Sequence, residues 1–136
     1  MKNIVVALFP MLELATVGMA HATADRCSEA TSHVEQRSCL QAQFNEAEKR
    51  LAQAERAVIA KIAVWDEDLE YRLESKKALA ASNSAFRKYR TNQCEYAWSL
   101  AAGGNGATDM RLSCAIELTE SRIKLLEESS VDLQQR

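Results

Sequence analysis

Cys27, Cys39, Cys94 and Cys114 carry the most distinctive chemistry of this 136-residue chain. Four thiols can hold a metal, supply a nucleophile or oxidise in pairs. A zinc site wants C-x-x-C or Cys/His clusters at ligand spacing, and neither occurs. A nucleophile wants a base. His21 and His33 are the chain's only histidines, and neither falls in a Cys/His or Ser/His/Asp arrangement. The carboxylates are spread along helices at solvent-face spacing, and no pair is poised for acid/base work. The residues therefore point to a protein without enzymatic activity, cofactor or metal, whose thiols form disulfides. An even number of cysteines behind an export signal has that meaning, because disulfides persist in oxidising compartments.

Such a signal is expected at 1–22. Lys2 precedes an apolar stretch from Ile4 towards Ala20, interrupted by Glu13. Ala20-His21-Ala22 and Ala22-Thr23-Ala24 offer cleavage near 22–24. The apolar run falls short of the roughly 20 residues that span a bilayer, so no stable membrane insertion is expected after cleavage. Removal takes Lys2 and Glu13 together and leaves the net charge of −2 unchanged. Near-neutrality gives no electrostatic case for nucleic acid. The expectation is a periplasmic or secreted domain at 23–130 with a frayed tail at 131–136, beginning to loosen at Ser129.

The elements that position the cysteines read as helices. Pro10, the only proline, lies in the signal, and three of the four glycines cluster at Gly103, Gly104 and Gly106. No strong helix breaker interrupts 30–102. Leu40, Phe44, Ala47, Leu51, Ala54, Val58, Ile62, Trp65 and Leu69 recur at steps of three and four, which is one apolar stripe. Thr31 or Ser32, with Glu35, suits its N-terminus. A second stripe reads Leu79, Ser82, Phe86, Tyr89, Gln93, Tyr96 and Leu100. A third starts near Thr108 or Asp109, with Leu112, Ala115, Ile116, Leu118, Ile123 and Leu126. Asp66-Glu67-Asp68 is the best turn between the first two, although one unbroken helix is the alternative. The fold class is thus all-α, a small helical hairpin or three-helix bundle stapled by two disulfides.

Four cysteines allow three pairings. On antiparallel helices joined at the glycine loop, Cys94 and Cys114 sit at similar heights. Cys27 and Cys39 cannot share one helix, where about 18 Å would part them, but a segment folding back before Thr31 brings them together. Cys39–Cys94 with Cys27–Cys114 is the rival.

These residues together resemble the LprI-like lysozyme-inhibitor family. The pattern comprises Cys27, Thr31, Cys39, Phe44, Ala47-Glu48 and Leu51, then Leu79, Phe86, Tyr89-Arg90 and Cys94. Gly103-Gly104 follow, then Cys114, Thr119, Arg122 and Leu125. The chain departs from the family's usual residues at Glu48 (Asp), Ala52 (Asn), Glu55 (Tyr) and Phe86 (Trp), as a diverged member does. The resemblance implies a helical domain outside the cytoplasm and, for some members, inhibition of lysozyme.

Two stretches are candidates for contacting a protein partner, a lysozyme-like hydrolase on that resemblance. One is the loop with Gly103, Gly104, Asn105 and Asp109, polar, flexible and held at its base by a Cys94–Cys114 bridge; Asp109 suits either a partner's basic group or a helix cap. The other is the acidic turn of Asp66 and Asp68 beside Trp65, where negative charge would steer a basic enzyme. Arg90, Thr119 and Arg122 read as structural, with Arg90 pairing an acid on a neighbouring helix and stacking on an aromatic. The alternatives to an inhibitor are an envelope assembly module that docks helical stripes on another protein or on a second copy as a homodimer, and a periplasmic immunity protein.

Overall fold

The computed structural model describes residues 27–135. The expected signal and its cleavage sites lie outside the described residues. Three helices follow one another: α1 (His33–Val64), α2 (Leu69–Ser99) and α3 (Ala107–Gln135). The turn at Asp66–Asp68 makes the first two a hairpin, so the unbroken helix is not what forms.

Local chemistry sets the boundaries. Ser32 is the N-cap of α1, and its hydroxyl accepts from the Glu35 backbone N–H at 3.2 Å. The Glu35 carboxylate accepts from the Thr31 hydroxyl at 2.6 Å and the Thr31 N–H at 3.1 Å. The hydroxyl bond first, then the backbone bond, hold the Glu35 pKa below the usual range. A depressed carboxylate steadies the helix start above the ordinary Glu range, and that contribution fades as pH falls through the lowered pKa. Arg72 closes the other end of α1 by donating to the Ala63 carbonyl at 2.9 Å.

The helix α3 packs along both of the others, while α1 and α2 touch each other little. Two disulfides staple the bundle: Cys27–Cys39, with Cα atoms 5.7 Å apart, and Cys94–Cys114, at 5.5 Å. The local pairing therefore holds over its rival. Its first half depends on the turn before α1, where the Ala30 N–H reaches the Cys27 carbonyl and the chain folds back.

The buried positions of α1 and α3 follow the stripes. Leu51, Ala54, Val58, Ile62, Ile123 and Leu126 form one apolar cluster toward the hairpin turn, with Leu79, Phe86 and Leu133 against it. Cys27, Leu40, Leu112 and Ile116 form a second toward the disulfides, with Cys39 and Phe44.

Two expectations fail. The tail does not fray at Ser129, because α3 runs on to Gln135. The Ser129 hydroxyl donates back to the Leu125 carbonyl within the helix, and Leu133 is held by the first cluster. The second stripe is also misplaced. Tyr89, Tyr96 and Leu100 are 54–61% exposed, and α2 turns Leu79, Asn83, Phe86, Arg90 and Cys94 inward instead. A pattern stepping at 3.5 residues drifts by about 20° per heptad on a straight helix. Over three heptads that carries it off the core.

The connection between α2 and α3 is a run of bonded turns, not a slack flap. Gly104 N–H donates to Ala101 O at 2.8 Å, and Ala107 N–H donates to Gly104 O at 3.1 Å. Ala102 (φ 47°) and Gly103 (φ 79°) are consecutive left-handed residues. A methyl group on Gly103 would meet nothing within 4 Å, so Gly103→Ala strains the backbone alone. The expected loss is about 1 kcal/mol, read as a lower urea midpoint. Gly106→Ala, equally open and without positive φ, should leave the midpoint in place.

Candidate protein-binding surfaces

Between the two apolar clusters lies a polar layer centred on Arg90, one helix turn before Cys94. Its guanidinium donates to the Glu48 carboxylate of α1 and, at 2.7 Å, to the Thr119 hydroxyl of α3. It also stands over the Phe44 ring at 5.2 Å and the Phe86 ring at 5.4 Å. Thr119 is fully buried and passes its own proton to the Ala115 carbonyl at 2.6 Å. Arg122 also lies against the Phe86 ring, at 5.8 Å, and donates to Ser82 and Asn83 at 2.9 and 2.8 Å. Arg87 reaches Glu55 across the gap between α1 and α2 at 2.9 Å. Long charged arms thus join two helices whose backbones stay apart. The structural reading of Arg90, Thr119 and Arg122 is what the geometry shows. The layer turns inward and leaves little for a partner: the Arg90 side chain is 11% exposed.

The two candidate recognition stretches lie at opposite poles. A 32-residue α1 separates them, which is about 48 Å of helix, so one small epitope cannot include both.

At the loop pole, Gly103, Gly104 and Asn105 are exposed. Asp109 is not. It sits in the first turn of α3 and pairs with Arg37 at 3.3 Å, its side chain 11% exposed. Arg37 also donates to the Asn105 carbonyl at 3.2 Å. Asp109 is therefore a brace for the loop, and the expectation that it might face a partner's basic group meets an already paired carboxylate. Arg37 was not legible in advance, since no local pattern marks a residue that closes an ion pair 72 positions away. Exposed Trp98, Leu100 and Met110 surround this pole.

At the turn pole, Asp66, Glu67, Asp68 and Glu70 are all exposed. None has an ion-pair partner among the described residues. Asp68 is the N-cap position of α2 but makes no side-chain capping bond, so its carboxylate also faces water. Trp65 ends α1 and is half-buried. It lines a cleft of about 270 Å³ together with Ile62, Ser75, Ser129, Asp132 and Leu133. Asp132 adds a fifth exposed carboxylate, without an ion-pair partner among the described residues, from the far end of α3. The position of Asp132 was hidden by the expected frayed tail.

With all four cysteines in disulfides, thiolate chemistry is closed to the folded protein. No helix among the described residues is long and apolar enough to cross a membrane. The family model described as lysozyme inhibitor LprI matches residues 24–126, a span that takes in both disulfides and the whole Arg90 layer. No curated protein and no solved structure matches the chain.

Proposed function

This chain belongs to the lysozyme inhibitor LprI family, and we propose that it restrains a lysozyme-type peptidoglycan hydrolase by setting its acidic turn pole into the enzyme's cleft. The family is one of inhibitors, not of enzymes. Two disulfides fit a compartment outside the cytoplasm, and the periplasm is the setting in which such a hydrolase would be met.

The observation that carries the choice of surface is the set of unpaired carboxylates at 66–70, joined by Asp132 and a half-buried tryptophan. A pole rich in carboxylates draws a basic partner and raises its association rate, and Arg72, the first cation of α2, is turned back onto the Ala63 carbonyl. The cleft beside Trp65 suits the stem of a partner's lysine or arginine, with apolar walls along the chain and carboxylates at the rim. Occlusion requires no chemistry from the inhibitor, in keeping with an interior where charged groups are engaged with one another.

The test titrates the oxidised mature protein against a panel of lysozymes in a lysis assay, at low and high salt. Asp66→Lys with Asp68→Lys should raise the concentration for half-inhibition by about tenfold or more at low salt, and by less at high salt. The double variant should stay folded at assay temperature with a loss of about 1 kcal/mol, since both side chains are exposed but Asp68 stands at the N-terminus of α2, where a positive charge opposes the helix dipole. No inhibition of any lysozyme would remove the reading. Inhibition that ignores the reversals but falls with Trp98→Ala or Asn105→Ala would move the contact to the loop pole, which exposed Trp98, Leu100 and Met110 favour.

A further inference from the structure

The misplaced stripe of α2 leaves an exposed face that α3 touches only at its edge, where the Ser82 hydroxyl accepts from Arg122. Tyr71, Ala78, Ser82, Ala85, Tyr89 and Tyr96 are all exposed, and at about 100° per residue they fall in one column along the helix. None is charged, in a chain with 26% charged residues. Their spacing is seven, four, three, four and seven, which reads the same in both directions.

From this symmetry we infer that α2 is a self-association face, on which a second copy packs antiparallel about a twofold axis between Ser82 and Ala85. In that register Ser82 lies level with Ala85 of the other copy, Ala78 with Tyr89, and Tyr71 with Tyr96. Small side chains at the centre let the two backbones approach, each inner tyrosine meets an alanine, and the outer tyrosines meet each other. This is the self-complementarity an isologous contact demands. Along the flanks Glu74 lies beside Asn92 and Ser75 beside Gln93, each within one residue of level, so these flank positions set no like charges together. A random surface helix would set lysines against lysines somewhere along such a length.

The three tyrosines are 54–58% exposed. With roughly 150–250 Å² of surface per aromatic side chain, they offer on the order of 300 Å² per copy before the alanines and flanks are counted. The full contact falls near the lower bound of about 1,000 Å² for a specific interface. The dimer is therefore of the weak, concentration-dependent kind. Its register sets the turn pole of each copy beside the loop pole of the other, with Asp68 level with Ser99. The dimer rests on α2 alone and not on the inhibitor reading.

Sedimentation equilibrium of the oxidised mature protein, from low to several hundred micromolar, tests it. The expected result is a mass rising toward twice the monomer. Ala85→Glu places two carboxylates beside the twofold axis and should weaken association at least about tenfold, with helical content and melting unchanged. A cysteine at the same place, Ala85→Cys, should form a covalent dimer much faster than Lys77→Cys, which lies off the column. A monomer at every concentration would overturn the inference, as would a dimer indifferent to Ala85→Glu. Lysozyme inhibition by Ala85→Glu is measured in parallel. Its persistence or loss bears on the inhibitor reading and leaves the mass result as the arbiter of the dimer.

Discussion

Arg90→Ala is expected to lower folding stability by about 3 kcal/mol, as much as truncating a buried leucine to alanine. The side chain makes a charge-assisted bond to Glu48 and a second bond to Thr119, and bonds to charged groups contribute about 1.5–3 kcal/mol. It also stacks on Phe44 and Phe86, each contact worth about 0.5–2 kcal/mol in a desolvated setting. The terms overlap and do not add in full, and Glu48, with 38% of its side chain exposed, can turn to water when its partner is lost. Arg90→Lys should recover about half of the loss, since an ammonium keeps the charge and can donate but lacks the planar face that lies over Phe44 and Phe86. Urea unfolding of the three proteins at one pH decides the matter. A loss under about 1 kcal/mol for Arg90→Ala would show that the two apolar clusters pack without their polar layer. Equal behaviour of the alanine and lysine variants would show that the charge contributes nothing.

Reduction of both disulfides should leave the chain largely unfolded at physiological temperature. Closed loops of 12 and 20 residues each restrict the unfolded chain by about 3 kcal/mol, against a total stability of about 5–15 kcal/mol for a domain. Cys94→Ser with Cys114→Ser unties the loop pole from the layer that Arg90 organises. Cys27→Ser with Cys39→Ser frees the segment before α1 and uncovers Leu40 and Ile116, which pack on Cys27. Far-UV circular dichroism melts, with and without reductant, read both losses. A reduced protein that still melts cooperatively above physiological temperature would mean that the helices suffice without their staples. Such dependence would tie folding to an oxidising compartment, which is where an inhibitor of a cell-wall hydrolase has to act.

Much of the architecture was legible because it rests on local chemistry. Helix formers without proline or glycine dictate helices at any position in the chain. Ser32 and Glu35 mark a start, Asp66–Asp68 a turn, and the glycine cluster at 103–106 the end of a helix, each through bonds or torsions within a few residues. The pairing of Cys94 with Cys114 followed from two antiparallel helices of matched length about one loop. The Cys and Gly framework also carried the family resemblance, which the match over 24–126 bears out.

The rest depended on which neighbour each face meets. The sequence of α2 holds two credible apolar columns, and only the docking of α3 turns one inward, so Tyr89 and Tyr96 went from expected core to surface. Asp109 looked available because its partner, Arg37, is distant in sequence and adjacent only once the poles form. Asp132 reaches Trp65 only because α3 continues past Ser129. By itself, then, the sequence determined the three helices, their ends other than that of α3, and the family, and its paired thiols implied an oxidising compartment. The tertiary structure decided which charges are paired and which remain open to a partner. The physical reason is range: capping, turn and helix propensities act over a few residues, whereas ion pairing and burial depend on surfaces that exist only after the helices pack.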